Sequence, residues 1–223
     1  MRAPDRPSRA LRACLAIPRR ASDRPTSQIL TRDPPMIREA IVTTRSVSGE
    51  PNIAPMGATV IEGGYLLQPY RPSRVYDNLA NTRIGVVNFT DDVRLLAGIV
   101  VGRRVPVEVR KATYLDCPRL ADALSHDEIT VERVEDHPER PRFFCHVCHY
   151  EGHTRFEGLN RAKAAILEAA VLVSRLNSLS DEQVDQEMAW LARAVERTAG
   201  PAESEAWEWM AEAVAEHRRQ RAS

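Results

Sequence analysis

Residues Arg71-Pro72-Ser73-Arg74 combine side chains that readily bind a phosphate group. They follow a predicted strand and open a predicted helix, where free backbone N–H groups and the helix dipole favour an anion. Two guanidinium groups and one hydroxyl add charge-assisted hydrogen-bond donors. A serine N-cap flanked by two solvated arginines would give the same pattern, and spacing alone favours this simpler interpretation.

Two asparagines lie close to this junction in the predicted structure. Asn78 follows Arg74 by one helical turn, and Asn88 lies in the next predicted strand, both within apolar surroundings. A buried amide needs hydrogen-bond partners. The polar edge of a bound ring system could provide them, and so could a neighbouring loop, so the residues alone leave both interpretations open.

The sequence Cys145-x-x-Cys148, with His146, His149 and His153 nearby, superficially resembles a zinc site. Structural zinc usually takes its four ligands from two separated pairs, and only one pair is present here. That pair lies in a predicted strand, where Cys145 and Cys148 would face opposite sides. We therefore assign no metal ligands. His149 and His153 flank a predicted turn, for which a solvated loop is the favoured interpretation.

Other polar and aromatic residues have simple structural explanations. A turn and a helix N-terminus account for the carboxylates of Asp91-Asp92. For Asn160-Arg161 a helix start is the simple explanation, and a functional role stays equally open. Trp190, Trp207 and Trp209 fall on predicted helices and are interpreted as packing residues. The sequence contains no GxGxxG, Walker A, HExxH or GxSxG motif, so no motif identifies a catalytic residue.

The elements that position these residues are mainly strands up to about residue 150. Short Gly-containing turns predict an antiparallel meander of three strands, at 37–47, 52–61 and 65–70. A short helix capped by Ser73 follows, with Val75 and Leu79 one turn apart. Further strands are predicted at 84–89, 105–112, 129–135 and 142–150, with a short helix near 118–124. This succession of strands and turns predicts a β-barrel.

The rest of the chain has a helical period. Apolar residues of the segment 160–176 cover a wide helical face. A capping box of Ser180 and Gln183 begins a second helix, Gly200-Pro201 ends it, and a third helix covers 202–219. The predicted fold class is therefore α+β and mainly β, with a barrel followed by a C-terminal helical segment.

The charge balance excludes two broad classes of protein. The 223 residues carry 31 basic and 31 acidic side chains, whereas a general nucleic-acid or membrane-surface binder would show a basic excess. No apolar stretch approaches the roughly 18–20 residues of a membrane span. Four cysteines without a secretory signal indicate reduced thiols and a cytoplasmic location.

Residues 1–35 form a distinct head with eight Arg, three Asp and six of the fifteen Pro. Such sequence cannot bury enough apolar surface to offset its ordering entropy, so we expect disorder. A transit peptide is one alternative, although the Asp and Pro residues fit it poorly, and a secretory signal lacks its apolar stretch of roughly 7–15 residues. We favour a start codon assigned too early, with Met36 as the true first residue.

The order of several short blocks resembles the flavin reductase-like, FMN-binding split β-barrel superfamily and, within it, the DUF447 family. The blocks that carry this resemblance span about Met36 to Trp207 and lie at 41–45, 52–57, 71–79, 86–92, 156–162 and 168–170. Each block is short, and their shared order and spacing give the resemblance its specificity. The domains it implies are the head (1–35), an FMN-binding split barrel (36–156) and C-terminal helices packed on the barrel (157–223).

The resemblance implies a role for each candidate residue. The backbone of Ala54, Pro55, Met56 and Gly57 would meet the polar edge of the flavin ring. Arg71, Ser73 and Arg74 would hold the phosphate, and Asn78 would brace their loop. Asn88 and Thr90 would reach the ring or the ribityl chain. Val75 is a departure, because many relatives are expected to carry a hydroxyl there, which would donate to the phosphate.

The resemblance also implies a function and an assembly. It predicts an FMN-binding homodimer with the cofactor in the seam between subunits, and a flavin-dependent oxidoreductase if the protein is an enzyme. A link to tetrahydromethanopterin-dependent one-carbon metabolism is a further implication. The alternatives are a non-catalytic FMN-binding module and a dimeric interaction protein with a vestigial pocket. No catalytic residue is predicted, and no nucleic acid or membrane is expected as a partner.

Overall fold

The computed structural model describes residues 36–222, so the expectations for the head lie outside the described residues. The described chain forms two compact units. One holds the residues up to Thr90 together with Glu108–Arg155, and the other holds Asp91–Val107 together with the residues from Phe156 onward. The segment 91–107, which was predicted to lie within the barrel, therefore packs with the C-terminal helices.

Six strands of the first unit close into an antiparallel barrel, in the order β1-β2-β3-β8-β7-β4. The bounds of these strands are β1 Ile37–Arg45, β2 Pro51–Ile61, β3 Gly64–Leu67, β4 Ile84–Phe89, β7 Ser125–Glu135 and β8 Arg142–Gly152. Helix α1, Arg74–Thr82, lies between β3 and β4 in the sequence. The predicted fold class, a barrel followed by helices, is confirmed.

Alternation along the strands fills the barrel with apolar side chains. Val75 and Leu79 of α1 join this core at helical spacing, and the strands contribute the rest, chiefly Ala40, Val42, Ala58, Leu67, Val87, Ile129, Val131 and Phe143. Cys145 lies inside this core, whereas Cys148 packs against a separate cluster around Ile84 and Val86. The two cysteines therefore face opposite sides of their strand, as the period of two predicts.

Strand β2 is paired along both edges only in its second half. All of it pairs with β1, but β3 pairs only with Ala58–Ile61. Among the described residues, no strand therefore lies beside one edge of the first half, residues 51–57. Along such an edge, alternate residues direct their N–H and C=O groups away from the sheet. The unpaired edge of residues 51–57 therefore carries backbone donors and acceptors that no neighbouring strand of residues 36–222 uses. We call this edge the open edge of β2.

The segment between β4 and β7 differs from its prediction. The strand predicted at 105–112 is limited to β5, Val109–Lys111, and the helix predicted near 118–124 is wrong, because Pro118–Leu120 forms strand β6 paired with β5. Contacts distant in sequence decide this outcome. Pro118 O accepts from Thr43 Oγ1 at 2.6 Å, and Leu120 N–H donates to Asn88 Oδ1 at 2.8 Å.

The second unit is a group of helices: α2 Val93–Val100, α3 Arg161–Val173, α4 Asp181–Thr198 and α5 Pro201–Ala222, with a 3₁₀ turn at Leu176–Ser178. Asp92 caps α2 and Asn160 caps α3, as the structural explanations of these residues predict. The predicted capping box of Ser180 and Gln183 is also present. No helix in the described part of the chain is both long and apolar enough to cross a bilayer.

The tryptophans of this unit divide between its interior and its surface. Trp209 lies in the helical core and Trp207 packs against it. Trp190 is 69% exposed, so its interpretation as a packing residue is wrong. It lies off the apolar stripe of α4 formed by Val184, Leu191 and Val195, and it lines a cavity together with Ala165 of α3.

Gly64 is required where β3 meets β8. A Cβ atom at this position would lie 1.9 Å from the backbone oxygen of Cys145, which a side-chain movement cannot relieve. We expect Gly64→Ala to lower the free energy of unfolding by about 2 kcal/mol or more, as overpacking against backbone does. Gly152→Ala is the matched control, because its Cβ would meet no atom within 4 Å. Equal urea-unfolding midpoints for the two variants would contradict this prediction.

Candidate functional site

The start of α1 has the geometry of a capped helix. Ser73 is extended, with φ −159° and ψ 154°, and its Oγ accepts from Tyr76 N–H at 3.2 Å. The backbone oxygen of Ser73 accepts from Asp77 N–H at 3.0 Å. The N–H groups of Arg74 and Val75 precede the first intrahelical donor, so the helix start directs them outward, as an anion site requires.

Arg71 is fixed beside this helix start. Its guanidinium lies 4.5 Å from the centre of the Tyr76 ring, donates to the Tyr76 hydroxyl and lies 3.1 Å from Asp136 Oδ1. The ion pair with Asp136 is exposed, and exposed pairs contribute little. Asp136 therefore competes only weakly with a bound anion. Arg74, one residue into the helix, is exposed.

Val75 and Asn78 attach α1 to the barrel. Val75 is buried in the barrel core, where a hydroxyl would lack the apolar contacts that the valine makes. Asn78 is buried, and its Nδ2 donates to Thr44 Oγ1 of β1 at 3.0 Å. The amide thus joins α1 to β1, one of the strands of the barrel. The orientation of the helix start depends on these two residues.

Asn88 is engaged entirely within the barrel wall. Its side chain has no exposed area, and its Nδ2 donates to Ile41 O at 2.9 Å and to Thr43 Oγ1 at 3.0 Å. Its Oδ1 accepts from Leu120 N–H. These contacts match the neighbouring-loop interpretation of the sequence. In this structure Asn88 braces β6, and it presents no polar atom at the surface. Thr90 is partly buried one residue beyond the end of β4.

The four residues predicted to meet a ring lie on the open half of β2. Ala54 and Met56 direct their side chains onto the barrel core. Pro55 and Gly57 alternate with them, and a Cβ at Gly57 would lie 2.9 Å from Ile37 Cγ2 of β1. The backbone of this half-strand is partly buried. A flat ring placed along its open edge would therefore meet backbone polar groups with an apolar surface beside them.

A second polar cluster, which was not predicted from the sequence, lies on the outer face of β7 and β8. It contains His126, Glu128, His149, Glu151 and His153. Burial alone would raise the pKa of the Glu128 carboxyl, but contacts with His126 and with three backbone N–H groups outweigh burial and lower the pKa. Burial lowers the pKa of His153. The signal in the sequence was the alternation His149-x-Glu151-x-His153, which is hidden if β8 is ended at residue 150.

Two family matches show to which family this barrel and its C-terminal helices belong. Residues 38–154 match the family described as "Protein of unknown function (DUF447) N-terminal domain", and residues 160–212 match its second domain, "Protein of unknown function (DUF447)". The chain belongs to the DUF447 family. Among curated proteins, none matches the chain.

The fold is shared by a solved structure, the FMN-bound DUF447 protein MM1853 from Methanosarcina mazei, with a TM-score of 0.68, 19% identity, and coverage of 81% of this chain and 96% of that chain. Lower similarity is found to the 2-nitrobenzoate 2-nitroreductase NbaA of Pseudomonas fluorescens (TM-score 0.46, 18% identity, 55% and 67% coverage). The styrene monooxygenase flavin reductase of Pseudomonas putida S12 has a TM-score of 0.44, 13% identity, and 52% and 79% coverage.

The bracing role of Asn88 is testable by unfolding. Asn88→Ala removes four buried hydrogen bonds and leaves the N–H of Leu120 without its acceptor, so we expect a loss of about 1–3 kcal/mol or more in unfolding free energy. Asn81→Ala is the control, because Asn81 is exposed and bonds only within its own helix. If both variants unfold at the same urea concentration, the bracing role is refuted.

Proposed function

We propose that this chain binds FMN, with the phosphate at the start of α1 and the ring along the open edge of β2. The observation that carries the proposal is the pairing of β2, in which no strand of residues 36–222 lies beside one edge of residues 51–57. Belonging to a family with an FMN-bound member supports the choice of ligand. The residues present fit this group, since the site offers both an anion-suited helix start and free backbone polar groups.

The phosphate end of the proposed site consists of Arg71, Ser73 and Arg74. The Arg71 guanidinium is held by Tyr76, so little rotamer freedom would be lost on binding. Ser73 uses its oxygen as an acceptor for the helix, which leaves its hydroxyl hydrogen to donate. Arg74 is exposed at the first helical position. Two guanidiniums and a helix start together offset the charge of a phosphate.

The ring end of the proposed site uses backbone rather than side chains. Backbone groups of Ala54 to Gly57 would pair with the polar edge of the ring, as a strand would. Asn88 is left out of this part of the proposal, because its amide is already engaged. Asn78 acts as a positioning residue through Thr44. Thr90, one residue beyond the end of β4, would reach the ring or the ribityl chain.

We further propose that the protein is a flavin-dependent oxidoreductase. A bound flavin supplies electron or hydride transfer, and the chain supplies binding, orientation and exclusion of water. No side chain of the proposed site is positioned as a general acid, base or nucleophile, so we assign no catalytic residue. A homodimer in the cytoplasm and a link to tetrahydromethanopterin-dependent one-carbon metabolism are further parts of the proposal, supported by the family resemblance. The alternative function is an FMN-binding module without turnover.

Phosphate recognition can be separated from ring recognition by comparing two ligands. Arg74→Ala is expected to raise the Kd for FMN roughly tenfold or more, because a hydrogen bond to a charged group contributes about 1.5–3 kcal/mol. Binding of riboflavin, which lacks the phosphate, is expected to change little. Arg110→Ala, an exposed arginine on β5, is the control. Titration by flavin fluorescence measures the affinity of the unaltered chain and of both variants for each of the two ligands. An equal loss of affinity for FMN and riboflavin in Arg74→Ala would refute the phosphate assignment.

The cofactor and the activity are tested on the full, purified chain. We expect flavin absorbance, an extracted ligand with the mass of FMN, and anaerobic reduction by NADH or NADPH followed by reoxidation by an acceptor. A colourless protein that takes up no added FMN would refute both the oxidoreductase and the binding module. Bound FMN that neither nucleotide reduces would favour the module.

A further inference from the structure

The outer face of the β7–β8 pair carries histidines and carboxylates in cross-strand register. His126 is paired with Glu151, and Glu128 is paired with His149. His153 follows Glu151 by two residues, and its N–H donates to Leu124 O at 2.8 Å, which continues the pairing beyond the end of β8. Because side chains alternate along a strand, all five project from the same face. Neighbouring Asp127 and Ile129 project into the barrel, where they contact Tyr65 and the apolar core.

Three of these side chains converge within ligand distance of one another. His126 Nδ1 lies 2.8 Å from His153 Nε2, and the two rings are stacked at 5.0 Å with an angle of 5°. One donor atom each from His126, Glu151 and His153 lie within 4.8 Å of one another. The side chain of His126 has no exposed area, whereas Glu151 lies at the surface. The cluster therefore has a buried base and an opening to solvent.

We propose that His126, Glu151 and His153 bind a divalent first-row transition metal ion. His149 lies at the edge of this group, with its Nε2 3.8 Å from Glu151 Oε2. Two imidazoles and a carboxylate are donors that Zn²⁺ and its neighbours prefer over Mg²⁺ or Ca²⁺. Metal–ligand bonds of about 2.0–2.1 Å at tetrahedral angles place donor atoms roughly 3.3 Å apart. The His126 Nδ1–His153 Nε2 distance of 2.8 Å and the 4.8 Å within which all three donor atoms lie bracket that value.

Residues that contact the proposed ligands hold them in a fixed orientation. Glu128 is fully buried, and its carboxylate accepts from the backbone N–H groups of Thr113, Tyr114 and Leu115 at 2.6–3.1 Å. His126 Nε2 faces this carboxylate at 3.5 Å, which favours a proton on Nε2 and a lone pair on Nδ1. A carboxylate behind a metal-binding histidine commonly fixes the tautomer in this way.

Glu151 and the neighbouring His149 are also held by contacts with other side chains. Glu151 Oε2 accepts from Thr113 Oγ1 at 2.9 Å, so one loop holds both carboxylates of the cluster. The ring of His149 packs edge-on against Tyr114 with centroids 4.7 Å apart. A site in which His126 and Glu151 are oriented by neighbouring groups differs from an incidental surface group of polar residues.

A hydrogen-bonded histidine pair without an ion is the competing explanation for His126 and His153. It does not account for His149. Among the described residues, none accepts or donates a hydrogen bond at His149 Nε2, although this atom is buried. Such an atom costs roughly 1–3 kcal/mol when left without a partner. A metal ion on Glu151, whose Oε2 lies 3.8 Å from His149 Nε2, would give this atom a partner, which is why the observation favours the ion.

The test uses the full chain without an affinity tag, freed of metal by chelation and dialysis. Zn²⁺ is titrated by calorimetry, and Co²⁺ is titrated by its visible d–d absorption, which reports tetrahedral coordination. We expect one ion per chain and a rise in Tm on adding Zn²⁺, since a ligand that binds the native state stabilises it. Glu151→Gln and His153→Ala are each expected to weaken binding by roughly tenfold or more, because even loss of a supporting group costs 10–100-fold.

His217→Ala is the matched control, since it removes a histidine from α5 in the other unit. Its metal affinity is expected to equal that of the unaltered chain. Weak binding of several ions, no tetrahedral Co²⁺ spectrum, or equal affinities for Glu151→Gln and the control would overturn the proposal. Glu151 lies at the surface, so this variant retains its fold even if His153→Ala does not. FMN uptake is measured in parallel and is expected to be independent of the metal.

Discussion

The barrel closes through only three residue pairs, in which Ile41–Thr43 of β1 meet Val86–Asn88 of β4. The parts that build the candidate site are attached at or next to this seam. Asn88 connects the seam to β6, Thr43 bonds to Pro118, and Thr44 holds Asn78 of α1. A buried network of this kind stabilises only when every member is satisfied. The position of the anion-suited helix start therefore depends on polar contacts in the barrel wall.

Local sequence patterns predicted the elements whose signals are local. Strand β4 was predicted with its observed bounds, and the capping box at Ser180 was predicted from four residues. The segment 105–124 could not be predicted in this way. Its strands form because Leu120 and Pro118 bond to residues more than thirty positions away, and no periodic pattern encodes such partners. Propensity is a weak guide where contacts distant in sequence decide the conformation.

The sequence predicted the chemical groups of the candidate site, but it did not predict which of them are free to contact a ligand. The donors of Arg71, Ser73 and Arg74 were visible in the sequence, but which asparagine remained available was not. That question depends on burial and on hydrogen-bond partners, which place Asn88 inside the wall. The histidine cluster was missed for another reason, since the register that places His126 opposite Glu151 is a property of two paired strands. Single-strand alternation identifies a face, but not the residues that share it.

The open edge of β2 also bears on self-association. A row of free N–H and C=O groups is a template on which a strand from another molecule can add, and proteins protect such edges. Pro51 and Pro55 lie in this half of β2, and proline offers no N–H to an incoming strand. The two prolines thus interrupt the ladder that would seed aggregation while leaving carbonyl groups in place. An edge with this composition can accept a small molecule and still resist the addition of a neighbouring chain.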